Sequence, residues 1–392
     1  MNIVFILSDA LRHDYIEHMP YLKKMSEENI YYENVKPGIG FCEISEYITG
    51  IDSIENGNLF QLTFNRKFGK KKFKLLTYIN EFFNHIPRIR RYTQKLITKI
   101  LEKKDCFIDR DILRVRYNIP INLLSYFEPT ESRYQYDSEQ FFPNYNLRNL
   151  LLQIKALGKT YDIDDFVKHN KIKGTDEERL KRLNAKIKNK ELSDFTLLYI
   201  GKGEFAHMTG TSDSKFHNRL AEYDDMLKNL NLLLKENYNN NYRLIILGDH
   251  GMVDVKKYIN ILPVVKKIKS KYGLSVGDDF VYFIDSTALR LWFKDKKIIP
   301  QVDNDISKYL EGNIELTKID NKYYGDLIYM LKPSNVFFPD FFNTKKNKGM
   351  HGYNNTIHEQ KGLCVIMGSK TDETYKEIPL HEVKHIVLDL LK

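Results

Sequence analysis

Four short apolar runs set the frame for this chain: residues 3–7, 195–200, 243–247 and 363–367. The first is unbroken and rich in β-branched residues, and the others are similar. Each is too short for a buried helix, so each reads as a strand covered on both faces. Helical patterns stand between and after them. Residues 19–27 form one. Residues 218–235 form a stronger one, with Leu220, Tyr223, Met226, Leu227 and Leu230 on a single face. Residues 380–391 close the chain as an amphipathic helix. Buried strands alternating with helices predict an α/β sandwich around a mostly parallel sheet.

A segment of different character interrupts this pattern. Between 61 and 193, Leu75, Ile79, Phe82, Ile86 and Ile89 keep a helical spacing, Pro87 breaks or kinks it, and Leu96, Ile100 and Leu101 resume it. The expected organisation is therefore an α/β core from 1–60 and 194–392, with a mainly helical insertion or cap over 61–193. Peripheral strands are expected near 280–283 and 288–293.

Charge follows the same division. The 392 residues hold 61 Lys and Arg against 52 Asp and Glu, a net of +9. Residues 61–120 hold 16 basic and 5 acidic side chains, leaving 45 against 47 elsewhere. The basicity belongs to the insertion. Its bland reading is the solvated face of a cap. Its functional reading is a surface for anions, ranked as a phosphorylated or lipid-linked substrate first and an anionic membrane surface second. Nucleic acid comes last, because no recognised binding module accompanies the charge.

A hydrophobic share of 42% excludes a disordered chain. Three cysteines, Cys42, Cys106 and Cys364, exclude a disulfide framework and suggest a reducing compartment. No apolar stretch approaches the roughly 20 residues of a membrane span. The expectation is a cytoplasmic protein, with peripheral contact at the inner face of the membrane left open.

Candidate chemistry follows the strands, where open α/β sheets place their sites. Asp9 follows the first run. Glu204 and His207 follow the second, Asp249 and His250 follow the third, and His351 precedes the fourth. Three carboxylates and three imidazoles suit zinc or another divalent transition metal, with manganese the alternative, and six ligands suffice for two ions. Each residue alone has an ordinary structural reading as cap, turn or packed side chain. The eight other histidines are left to that reading.

The joint occurrence of Ser8-Asp9, Thr49-Gly50, Asp249-His250-Gly251-Met252 and His351-Gly352-Tyr353 resembles the alkaline phosphatase superfamily, and within it the type I phosphodiesterase/nucleotide pyrophosphatase branch. The resemblance covers about 1–58 and 195–392. It implies one zinc site from Glu204, His207 and His351 and another from Asp9, Asp249 and His250, with the nucleophile between the ions. It also implies a phosphoester hydrolase or transferase, read first as a phosphodiesterase or pyrophosphatase.

Two positions depart from the family. Glu204-Phe205-Ala206-His207 stands where Asp-x-x-x-His is usual, with Asp213 as a substitute ligand. The family's Thr, Ser or Cys nucleophile falls on Gly40. Cys42, two residues later at a predicted helix start, is the candidate nucleophile, since a helix start and nearby zinc favour the thiolate. The alternatives are a small buried cysteine, attack by Ser45, or attack by a metal-bound hydroxide. Cys42-Glu43-Ile44-Ser45-Glu46 lacks the sulfatase signature, which sets aside a formylglycine enzyme. The rival class is a binding or scaffolding protein on a decayed phosphatase fold, with Gly40 as its evidence.

Overall fold

The computed structural model describes residues 1–64, 118–124, 126–134, 136–138, 141–142, 148–165, 174–239, 241–315, 321, 323–368 and 373–392, together with 92, 95, 96 and 99. Most of the basic segment 61–120, including Cys106 and the helical pattern through Leu75 and Ile89, lies outside the described residues. No described helix is long and apolar enough to cross a membrane.

A seven-stranded sheet organises the chain. Its strands are β1 (Asn2–Ser8), β2 (Ile30–Lys36), β3 (Tyr161–Asp164), β4 (Phe195–Ile200), β5 (Tyr242–Gly248), β6 (Gly362–Met367) and β7 (Thr374–Pro379), in the order β7-β2-β6-β5-β1-β4-β3. β1 pairs in parallel with β4 and β5, β3 with β4, and β7 with β2. Only β6 runs against its neighbours β5 and β2. The four apolar runs of the sequence are β1, β4, β5 and β6, the four strands inside the sheet or next to its centre.

Alternate residues of these strands enter two different cores. Val4, Ile6, Leu198, Ile200, Leu244 and Ile246 face one layer, with α1 (Pro20–Glu28), α4 (Asp176–Lys188) and α5 (Ser214–Tyr238) supplying Leu22, Leu183, Ile187, Leu220, Leu227 and Leu230. Ile3, Phe5, Leu7, Leu197, Ile245 and Leu247 face the other, against Ile44, Tyr47 and Ile48 of α2 (Glu43–Thr49), Leu151 and Ile154 of α3 (Leu150–Ala156) and Val387 of α6 (Val383–Leu391). This explains the unbroken hydrophobicity: a strand covered on both faces has no polar side to alternate. Each such side chain contributes about 1.5–3 kcal/mol relative to exposure. Cys364 is one of them, and burial pushes its thiol up to about 12.

The chain divides into two compact units. The first holds Met1–Leu59, Tyr134–Asp254 and Asn347–Lys392; the second holds Phe60–Arg133 and Val255–Lys346. These boundaries differ from the division at 61–193. Residues 134–193 carry β3, α3 and α4, which extend and cover the central sheet and so belong with it. Within the second unit, Phe280–Ile284, Ala288–Phe293, Leu327–Leu331 and Ile314–Glu315 form an antiparallel sheet. The fully buried Arg290 there is neutralised by Asp285, with Nε donating to Oδ2 at 2.6 Å, and lies over the rings of Phe60 and Phe283.

Where β5 meets β6, two glycines let the backbones touch. A Cβ on Gly362 would fall 1.9 Å from the Gly248 carbonyl oxygen, and one on Gly248 would fall 2.1 Å from that of Leu11. Gly362→Ala is expected to force the strands apart and cost about 1–3 kcal/mol. A urea midpoint equal to that of the parent chain would contradict this close approach.

Candidate metal centre

Strand register levels one edge of the sheet. Ser8 of β1 lies opposite Ile200 of β4 and Gly248 of β5. The residues that follow, Asp9, Gly201 and Asp249, therefore leave the sheet side by side. Because β6 is antiparallel, its start lies at this same edge, so the loop before it arrives beside the ends of the others.

Two short connections complete the approach. Met350 pairs with Val253 and Gly349 with Asp254 in an antiparallel ribbon, which holds His351 beside the loop carrying His250. The main chain of Lys348 donates to the His207 carbonyl at 2.7 Å. The sequence-predicted ligands are thus brought together from four separate stretches.

Ring orientation is set by backbone carbonyls. His207 Nδ1 donates to the Gly349 carbonyl at 2.7 Å, and His250 Nδ1 donates to that of Gly251 at 2.8 Å. A carbonyl only accepts, so Nδ1 carries the proton and Nε2 presents its lone pair, the arrangement usual for metal-ligating histidine. His207 Nε2 lies 3.3 Å from Glu204 Oε1, and His250 Nε2 lies 3.1 Å from Asp9 Oδ1. Tyr199 OH donates to the other Asp9 oxygen at 2.6 Å. The His351 ring stacks on His250 with centroids 3.9 Å apart and planes 9° apart.

Among the described residues, three sets of side chains converge closely enough to hold a metal ion: Glu204 with His207 and His351; Asp9 with Glu204 and His250; and Glu43 with His250 and His351. The first is the trio expected from the sequence. In the second, Glu204 stands where Asp249 was expected. Asp249 Oδ1 instead accepts from the main-chain N–H groups of Ala10 at 3.2 Å and His250 at 3.0 Å. Asp213 is a helix cap that accepts from Lys215 N–H at 2.8 Å at the start of α5. Glu43 is the member that the sequence reading missed.

The electrostatics favour a cation. Burial opposes the charge of Glu204, but His207, His351 and His250 outweigh it and hold the carboxyl low. Burial likewise opposes charge on His250, yet Asp249, Asp9 and Glu43 hold it well above the usual imidazole range. Asp249 is pushed well up by burial and by Asp9 and Glu43, against the pull of His250. Burial and His250 together lower His351. Two buried atoms, Glu204 Oε1 and His351 Nδ1, have no hydrogen-bond partner. Unpaired acceptors in a buried carboxylate–imidazole cluster fit the donor set of a divalent transition metal.

The loop from β2 into α2 closes one side. Gly40 has φ +105°, and a Cβ there would fall 1.7 Å from the Leu59 carbonyl oxygen. No side chain fits at this position, where the family resemblance had led a nucleophile to be expected. Cys42 heads α2 and is 2% exposed. Among the described residues it enters none of the convergent metal-binding sets. Ser45 Oγ donates to the Cys42 carbonyl at 2.6 Å and accepts from Asn56 Nδ2 at 3.1 Å. Its hydroxyl is therefore committed to holding the helix start. Thr49-Gly50 ends α2, with Gly50 in the left-handed conformation that a Cβ would disfavour.

Known proteins place the fold and family. The model of the type I phosphodiesterase/nucleotide pyrophosphatase family matches residues 124–354, more than half of the chain. The chain belongs to this family. The match includes Glu204, His207, Asp249, His250 and His351, while Asp9 and Cys42 precede it. Human ectonucleotide pyrophosphatase/phosphodiesterase 5 superposes with a TM-score of 0.70 at 14% identity, covering 100% of this chain and 95% of that one. The murine protein of the same name, in an inactive form in complex with AMP, superposes with a TM-score of 0.68 at 13% identity and the same coverage. The fold is alkaline-phosphatase-like. No curated protein matches the chain.

Two outcomes are expected. Zn2+ added to the full chain should raise its melting temperature, with about 2.7 kcal/mol of stabilisation at one hundred times the dissociation constant. His351→Ala should remove most of that rise and His13→Ala should not; equal shifts in both variants, read by differential scanning fluorimetry, would place the ion elsewhere. The second concerns Lys384, whose Nζ donates to the Thr49 carbonyl at the end of α2 at 3.0 Å. Burial, reinforced by Arg148, pulls its ammonium down from 10.5 to about 8. Between those values the unfolded chain holds a proton that the folded chain lacks, so this group makes stability rise with pH across that window. Lys384→Met should flatten the rise in urea midpoint between about pH 8 and about pH 10.

Proposed function

We propose that this chain cleaves phosphodiester or pyrophosphate bonds with two divalent metal ions, zinc first and manganese second. The supporting observation is the convergence of Glu204, His207, Asp9, His250 and His351 at one sheet edge, in a member of a phosphoester-hydrolase family. Glu204, His207 and His351 would hold one ion. Asp9 and His250 would hold the other, with Asp249 bracing its loop and adding negative charge. Such ions supply Lewis acidity for the phosphoryl oxygens and for a departing alkoxide.

The residues of the chain divide the remaining work. The Gly349 and Gly251 carbonyls fix the tautomers of His207 and His250, so both imidazoles meet the centre without a proton at Nε2. Tyr199 OH orients Asp9. In the covalent route the Cys42 thiolate forms an S–P bond as the P–O bond to the leaving group breaks, and the leaving oxygen takes a proton from water. Water then attacks phosphorus, the P–S bond breaks and the thiolate returns. In the direct route water attacks once and Cys42 remains a packed side chain.

The substrate class is an anionic phosphorylated small molecule or a lipid-linked one. The +11 charge of 61–120 supports it by adding long-range attraction for anions. The compartment proposed is the cytoplasm, on the low cysteine count, with an anionic membrane surface as a second partner of the basic segment.

A non-catalytic binding protein is the second reading, favoured by the steric exclusion of any side chain at Gly40. Turnover separates the two. Protein reconstituted with Zn2+ or Mn2+ should cleave bis-p-nitrophenyl phosphate faster than p-nitrophenyl phosphate. Asp249→Ala should lose at least about 100-fold, at or beyond the upper range for a residue that merely supports a ligand. Metal-loaded protein with no turnover of either ester supports the binding reading. Cys42→Ala and Cys42→Ser that both keep full turnover assign the attack to water.

A further inference from the structure

Glu43 was invisible as a site residue in the sequence, yet its carboxylate reaches the centre. It occupies the first turn of α2, three residues after Gly40. Its side chain is 13% exposed, with Oε1 3.7 Å from His351 Nδ1. That separation is too long for a hydrogen bond, and Nδ1 has no other partner. The Glu43 carboxylate and this imidazole nitrogen thus face each other at ion-pair distance, with His250 stacked against the same ring. Glu43, His250 and His351 each offer one ligand atom within 4.8 Å of the others.

The surroundings give this carboxylate little freedom to turn away. Phe41 packs edge-on to His351 with centroids 5.2 Å apart, and a Cβ on Gly352 would fall 2.2 Å from the Phe41 ring. Phe41 N–H donates to the Leu59 carbonyl at 2.8 Å. At the next turn, Glu46 accepts from Gly38 N–H and Ser53 N–H, both at 2.8 Å. The loop and helix start are therefore pinned on both sides of Glu43.

We propose that Glu43 is itself a metal ligand, closing one side of the centre with His250 and His351. This rests on the metal-dependent reading above. The helix start would then deliver an oxygen ligand rather than an attacking group. The centre would gather carboxylates from four stretches of chain, a harder donor set that favours manganese more than a histidine-rich one does.

The test is metal binding by the full-length chain, freed of metal by chelation and titrated with Zn2+ alone and Mn2+ alone by calorimetry. The visible absorption of the Co2+-loaded form gives a second readout independent of activity. The parent chain is expected to take up two ions. Glu43→Gln should weaken one of them at least about tenfold and alter the Co2+ spectrum. Glu43→Asp, which keeps the charge, should recover most of the affinity and also serves if Glu43→Gln fails to fold. Two ions bound with unchanged affinities and an unchanged Co2+ spectrum in Glu43→Gln overturn the assignment while leaving the metal-dependent reading intact. Equal losses in the Gln and Asp variants, with circular dichroism unchanged, also overturn it by assigning the effect to packing. A parent chain that binds no divalent ion overturns both.

Discussion

Ser8 lies opposite Ile200 on one side and Gly248 on the other, and the whole centre depends on that level edge. Parallel strands in register end together, so whatever follows them is presented together. The same register brings carboxylates and imidazoles from distant parts of the sequence into a space where their charges are costly unless they meet. Gly248 and Gly362 are part of this geometry, because their missing Cβ atoms let β5, β6 and the loop after β1 close at the edge. Backbone hydrogen bonding in the sheet thus determines the electrostatics of the site.

Those electrostatics explain why the cluster reads as a cation site. Four carboxylates, from Asp9, Glu43, Glu204 and Asp249, surround three imidazoles. The carboxylates hold His207 and His250 above the ordinary imidazole range, whereas burial and the adjoining His250 lower His351. A divalent ion bound there would supply the compensating positive charge in place of protons. The Nδ1 atoms of His207 and His250 are tied to carbonyls in either case, so exchange of proton for metal requires no ring rotation.

The sequence made the interior of the fold legible and the periphery obscure, for one physical reason. β1, β4, β5 and β6 are covered on both faces and so are continuously apolar. β3 and β7 are the edge strands and β2 lies next to one; all three carry partly exposed residues such as Tyr31, Asp162 and Lys376, and nothing in their composition distinguishes them from loop. The same contrast governs the site. Asp9, Glu204, His207, Asp249 and His250 stood out because they follow legible strands and His351 because it precedes one, with Asp249-His250-Gly251-Met252 and His351-Gly352-Tyr353 matching a known pattern. Glu43 had neither signal: an acidic residue in the first turn of a helix is ordinary on dipole grounds alone. The domain boundary suffered likewise, since β3 and α4 lie in a stretch whose nearest apolar pattern was helical and basic.

Gly40 and Glu43 are best understood together. Position 40 sits where the chain turns under Leu59, with a φ that disfavours any side chain and a gap too narrow to hold one. Without a side chain, position 40 offers no nucleophile where the family resemblance had led one to be expected. A buried cluster of unpaired acceptors is costly, and a neutral loop would leave His351 Nδ1 facing nothing. Glu43 brings an anion to that face, and Phe41 closes the loop over the ring of His351. On the proposal that Glu43 is a ligand, the loop from Gly40 into the first turn of α2 brings negative charge to the centre rather than a side chain at position 40, and that charge would favour a bound cation whichever group delivers the attack.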